Sequence, residues 1–128
     1  MSPEDAISSL DRMLAANGQD IQLVRVTGAA NQAKFAATVR AFVRGYKPNE
    51  IVGSIVQGDS MVTISATDIE RANWPGPQVV KSPPVTADIR VPTTNDKAVI
   101  AGKTRNIAAA VPFYLDGQLV RIELSVKG

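Results

Sequence analysis

The stretch Gln118-Leu119-Val120-Arg121-Ile122-Glu123-Leu124-Ser125-Val126-Lys127 decides the fold class. Val120, Ile122, Leu124 and Val126 alternate with Arg121, Glu123, Ser125 and Lys127, the two-residue period of a half-buried strand. Just before it stands Asp116-Gly117, the kind of pair a two-residue type I′ hairpin turn wants. The partner strand is then about residues 104–115, with Ile107, Ala109 and Val111 on one face. Further upstream, residues 97–101 read as a strand that turns at Gly102-Lys103. The end of the chain is therefore expected to be a three-stranded meander. If its last strand, residues 118–127, lies at a sheet edge, Arg121, Glu123 and Lys127 blunt it against pairing with other chains.

Working back towards the N-terminus, residues 61–66 form a β-branched strand. Thr67 to Asn73 has the look of a helical turn capped by Thr67, with Glu70 three residues on completing a capping box. Trp74-Pro75 ends it. Phe35, Ala37, Val39, Ala41 and Val43 alternate in a way that favours a strand over a helix for residues 35–44, although alanines soften the contrast. Residues 21–27 give another short strand, and Gly28-Ala29-Ala30-Asn31-Gln32 a turn. The first element is different: Ser2 as cap, Pro3 at the first helical position and the acids Glu4 and Asp5 start a helix. Ile7, Leu10, Met13 and Leu14 keep helical spacing, and Asn17-Gly18 stops it, giving a helix over about residues 3–16.

These elements fit a single domain over residues 1–128, with an N-terminal helix (1–17) and a β core (20–127). The expected class is mainly β, a small β-barrel or β-sandwich with a short helical turn near 67–73. Two segments lie outside the strand pattern, 45–60 and 75–95. The second holds five of the chain's eight prolines between Pro75 and Pro92. Loops of this length inside a compact domain are usually functional or disordered.

Composition narrows the chemistry. The chain has no histidine and no cysteine. Ser-His-Asp and Cys-His catalysis and ordinary zinc sites are thereby excluded, as are disulfides. With 14 Lys and Arg against 12 Asp and Glu, the net charge of +2 is too small for the clustered basic face of a nucleic-acid binder. No apolar run reaches the ~18 residues of a spanning helix. The acidic start lacks the basic and apolar regions of a secretory signal, so none is expected. Ala101-Gly102-Lys103-Thr104 resembles a phosphate loop, but Lys97 stands where that pattern needs its first glycine, and a hairpin follows rather than a helix. A carboxylate pair such as Asp88 and Asp96 lacks the aromatic-lined cleft of a glycosidase. A Lys81-Ser82 dyad has no supporting context. The expectation is a protein that is not an enzyme and takes no cofactor or metal.

The candidate interface residues are cationic or aromatic. Thr38, Arg40, Phe42 and Arg44 share the face opposite the apolar one, with Tyr46 and Lys47 just beyond. A solvated outer face is the plain alternative to a surface that meets carboxylates or phosphates. Trp74 is read either as a core plug or as an interface anchor. Lys81 and Arg90, in the proline-rich stretch, complete the set.

The order of features carries a resemblance. Leu23-Val24-Arg25-Val26 is followed by Thr38-Val39-Arg40-Ala41-Phe42-Val43, then Ile55-Val56-Gln57-Gly58-Asp59 before a strand, and then Ala66-Thr67-Asp68-Ile69. The chain closes with Asp96-Lys97-Ala98-Val99-Ile100-Ala101-Gly102-Lys103, a stretch running on to Ile107, and a last hairpin. Over about residues 20–127 this order resembles the head-closure (stopper, or head–tail joining) proteins of tailed bacteriophages. The proline-rich segment is longer than that pattern requires, and the N-terminal helix is better formed.

The resemblance implies a β-barrel or β-sandwich that forms a ring with copies of itself beneath the portal and adaptor rings. Such a ring binds the tail and helps retain packaged double-stranded DNA without sequence readout, with no membrane contact. It implies location in the neck of the virion, after assembly in the host cytoplasm. Residues 45–60 would then face the lumen or form the ring, and 75–92 would touch a neighbouring ring. The rival readings are a tail-terminator or other connector subunit, a barrel that binds single-stranded nucleic acid, and a small hydrolase.

Overall fold

The computed structural model describes residues 2–27, 33–46, 49, 53, 58–72, 74 and 90–128. Helix α1 (Pro3–Asn17) leads into strands β1 (Gln19–Thr27), β2 (Ala33–Gly45) and β3 (Ser60–Ser65). A short helix α2 (Ala66–Arg71) follows, then β4 (Lys97–Ile100), β5 (Lys103–Leu115) and β6 (Gln118–Val126). The strands close into a barrel in the cyclic order β1-β2-β3-β6-β5-β4, and every pairing is antiparallel. The mainly β fold with an N-terminal helix is as the sequence predicts, and of the two expected architectures it is the barrel. Among the described residues no helix is long and apolar enough to cross a membrane.

Period-2 alternation builds the interior. Ala37, Val39 and Ala41 of β2 point inward, while Thr38 is exposed and Arg40 half-buried, because successive side chains leave a strand on opposite faces. Leu23, Val62, Ile64, Ile122 and Val126 meet them from the other walls, all fully buried. Strand β6 pairs with β3 on one side and β5 on the other, so it is not an edge. The seam between β1 and β4 is the narrow part of the closure, with only three register pairs from Gln22↔Val99 to Val24↔Lys97. The hairpin turn at Asp116-Gly117 has positive φ at both residues (51° and 75°), as a type I′ turn requires. The β4–β5 turn sits one residue earlier than predicted, with Ala101 and Gly102 at 51° and 80°.

Two local expectations are corrected. Helix α2 is capped by Ser65, whose hydroxyl accepts from the Thr67 amide at 3.2 Å. Thr67 lies inside the helix, and its hydroxyl donates to Asp11 of α1 instead (2.7 Å). The second correction concerns β5. A bulge between Ile107 and Ala109 sets two residues of β5 against Val126, so the faces exchange beyond it. Ile107 stays in the core, Ala110 takes the next inward position against Leu124, and Ala109 and Val111 turn outward.

Helix α1 packs against β2, β3, β6 and α2. Its last turn carries no basic residue of its own. Arg40 of β2 supplies the missing cation: its Nε donates to the Leu14 carbonyl at 2.9 Å and its Nη2 to that of Ala15 at 3.4 Å. The Leu14 carbonyl also accepts the Gly18 amide at 2.8 Å, so the guanidinium adds a second donor there and opposes the negative end of the helix dipole. Gly18 then allows the chain to pass close to β2. A Cβ at that position would stand 2.5 Å from the Leu14 oxygen and 2.8 Å from the Ala41 oxygen, both backbone atoms. Gly18→Ala is therefore expected to cost about 1–3 kcal/mol through overpacking. A urea midpoint equal to that of the unsubstituted protein would show that α1 does not sit this close.

Candidate assembly surface

The register change in β5 creates the most conspicuous surface of the barrel. Among the described residues, the exposed large hydrophobics are Val111 (51%), Phe113 (38%) and Tyr114 (47%), all on this one strand. The bulge turns Val111 and Phe113 outward, where they stand across from Glu123 and Arg121 of β6. Beside them a shallow groove of about 150 Å³ runs towards Tyr46, Met61 and Ser125. Tyr46 is fixed there by its hydroxyl, which donates to Ser125 Oγ at 3.0 Å. Two guanidiniums lie over aromatic rings: Arg121 over Phe113 at 4.4 Å and Arg44 over Tyr46 at 5.9 Å. Arg121 also pairs with Glu123 at 3.5 Å, and Arg44 reaches Met61 Sδ at 3.1 Å. An outward apolar and aromatic strip with arginines laid over it has the composition enriched at interface hot spots.

A second feature is a cleft of about 650 Å³ between α1, α2 and the outer side of β1 and β2. Its lining mixes charges, with Asp11, Asp20 and Asp68 beside Arg40 and Arg71, while its apolar members include Leu14 and Val39, which are almost fully buried. The acids do not converge on a metal-sized site, and two of the three are tied into the fold. Asp68 accepts from the Arg40 amide at 2.6 Å and pairs with Arg71 at 3.2 Å, while Asp11 takes the Thr67 hydroxyl. Asp20 is 68% exposed and meets Arg40 only at 3.3 Å, a contact worth less than about 1 kcal/mol in water.

The remaining buried charges serve the barrel. Asp96, 1% exposed, receives Arg25 through both oxygens (2.8 and 2.7 Å) and the Thr93 amide at 2.7 Å. Arg25 in turn lies over the Trp74 ring at 5.1 Å. Asp59, 3% exposed, is held by Lys127 Nζ at 3.0 Å and the Gly128 amide at 3.1 Å. Nearby, Arg105 donates to the carbonyls of Lys127 (2.6 Å) and Gly58 (3.0 Å).

The candidates read from sequence thus separate. Arg44 and Tyr46 lie together at the groove. Arg40 is engaged with α1, and Arg90 forms an ion pair with Glu70 at 2.7 Å. Of the two readings of Trp74, the structure shows the core plug: it is 3% exposed and packs on Phe35, with centroids 6.2 Å apart. Lys47 and Lys81, most of the segments 45–60 and 75–95, and the turn at 28–32 fall outside the described residues. The sequence reading did not pick out Val111, Phe113 and Arg121 as a surface. Their only signal was Pro112 next to an aromatic pair, in a strand whose alanines hide the register.

No protein-family model matches this chain, and no curated protein does either.

Proposed function

We propose that this chain is a structural subunit of a phage neck, a head-closure component that joins the portal–adaptor complex to the tail and helps retain packaged DNA. The observation that carries the reading is the outward Val111–Phe113 strip, where the exposed large hydrophobics among the described residues gather. Contiguous exposed apolar side chains rimmed by charge mark a surface that another protein covers. A second line of support comes from the motifs behind the resemblance. The aspartates of Gly58-Asp59 and of the stretch opening at Asp96 are both buried and paired, at the starts of β3 and β4. Their recurrence at those places in a barrel of this type then has a physical reason, because each fixes where a strand begins.

In this role the chain performs no bond chemistry. It is present in the virion after assembly in the host cytoplasm, and its partners are copies of itself, portal or adaptor proteins and tail proteins. Any contact with DNA is to the phosphate backbone and without sequence readout, so it weakens as salt rises. The reading is tested by looking for the chain in purified virions and locating it there. Tight, salt-sensitive binding of single-stranded DNA by an isolated monomer would instead favour an oligonucleotide-binding barrel.

A further inference from the structure

Strand β5 outruns the strand on one of its sides. Lys103 to Asn106 pair with β4, while Ile107 to Leu115 lie along β6. On the side away from β6, Ile107 to Phe113 therefore have no strand beside them among the described residues. The chain turns just ahead of β4, where the Asp96 amide donates to the Thr93 carbonyl at 3.0 Å, so β4 does not continue along them. An open sheet edge is a template on which another chain can add a strand. This one has the composition that favours addition: from Ile107 to Leu115 there is no charged side chain, and Val111 and Phe113 are large, exposed and suited to strands.

Two departures from a regular strand stand against it. The bulge between Ile107 and Ala109 disturbs the first part of the edge. Pro112 occupies the second part, opposite Ile122 and between Val111 and Phe113. Proline has no N–H, so it fits a ladder where its nitrogen faces away from the partner strand, which here is the open edge. We propose that Pro112 is a gatekeeper: it closes the β5 edge to strand addition, so that the Val111–Phe113 strip stays exposed without drawing further copies of the chain into growing sheets. Side-chain contact across the outer face of the barrel remains available, while backbone pairing along the edge is denied. Arg121 and Glu123 do not replace it, because they project from β6, on the far side of β5 from the open edge. The device does not depend on the neck reading.

The full chain and its Pro112→Val variant are compared by thioflavin T fluorescence and light scattering at matched concentration, with circular dichroism and urea unfolding to check the fold. Pro112→Val is expected to keep its urea midpoint and to aggregate at least about fivefold faster, the factor that one restored backbone hydrogen bond is worth. Adding Val111→Lys places a charge on the exposed face of the same strand, and is expected to return the rate to that of the unsubstituted protein. Should Pro112→Val not fold, Pro112→Thr takes its place; loss of the fold there too would assign Pro112 to the barrel itself and overturn the gatekeeper role. Aggregation no faster than that of the unsubstituted protein, aggregation that merely follows a lowered midpoint, or aggregation that Val111→Lys leaves unchanged would each overturn it as well.

Discussion

Trp74→Ala is expected to destabilise the protein by about 3–5 kcal/mol, the usual cost of truncating a buried aromatic to alanine. Trp74 is 3% exposed, tilted at 53° against Phe35, and covered on another side by the Arg25 guanidinium. Removing it opens a cavity among the core residues and strips a cation–π contact from an arginine that is itself only 14% exposed. A domain of this size has about 5–15 kcal/mol of stability in total, so the variant is expected to be barely folded at 37 °C. Urea unfolding followed by far-UV circular dichroism reads the effect as a midpoint lower by roughly 2 M, given the slopes usual for small domains. A midpoint within experimental scatter of the original would place Trp74 outside the core. Trp74→Phe is expected to be much milder. The indole Nε1 is buried and has no hydrogen-bond partner among the described residues, so losing it removes an unsatisfied donor along with some packing.

Asp96→Ala comes next, at about 3–5 kcal/mol, because it leaves a largely buried guanidinium without its carboxylate. Arg25 approaches Asp96 in the bidentate geometry that makes arginine–carboxylate pairs strong, and the Thr93 amide loses its acceptor in the same change. Asp96→Asn keeps the shape and one acceptor but removes the charge, so a smaller loss is expected. The interaction is isolated by a double-mutant cycle with Arg25→Met: the two losses are expected to fall short of additivity by about 1–3 kcal/mol. Strict additivity would show that the pair does not act as a unit. The outcome also bears on how the barrel closes, since Arg25 stands just past the β1–β4 seam and Asp96 just before β4.

The strands were legible in the sequence where chemistry alternates strongly, and illegible where it does not. Residues 118–126 contrast isoleucine and leucine with arginine and glutamate, so one register is clearly better than its neighbour. Residues 108–110 are three alanines. Either face of an alanine fits core or solvent at little cost, and nothing local reveals that a bulge exchanges the faces there. The error was confined to β5, yet that strand carries the candidate surface. Other misses were long-range. Arg40 was placed on the correct outer face of β2, but its partners belong to a helix end 26 and 25 residues away. Asp96 and Arg25 are 71 residues apart. Trp74 offered the same local signal for core and for interface, and only the packing of Phe35 and Arg25 around it separates the two.

The two rejected enzymatic leads have plain structural outcomes. Lys103 and Thr104 begin β5 directly after a type I′ turn, so the Gly-Lys-Thr sequence presents no helix N-terminus to a phosphate. Asp96 is enclosed by Arg25 and Thr93 rather than open to a substrate. Among the described residues the exposed large hydrophobics, Val111, Phe113 and Tyr114, all stand on β5, which is why the functional reading rests on assembly.

That reading is tested most directly on purified virions from the source that encodes the chain, by peptide mass spectrometry followed by cryo-electron microscopy of the neck. The proposed role requires the chain to be present in multiple copies, with a ring of barrels at the junction of portal–adaptor complex and tail. Virions that contain no copy of it, or that carry it only at another location, would contradict the role.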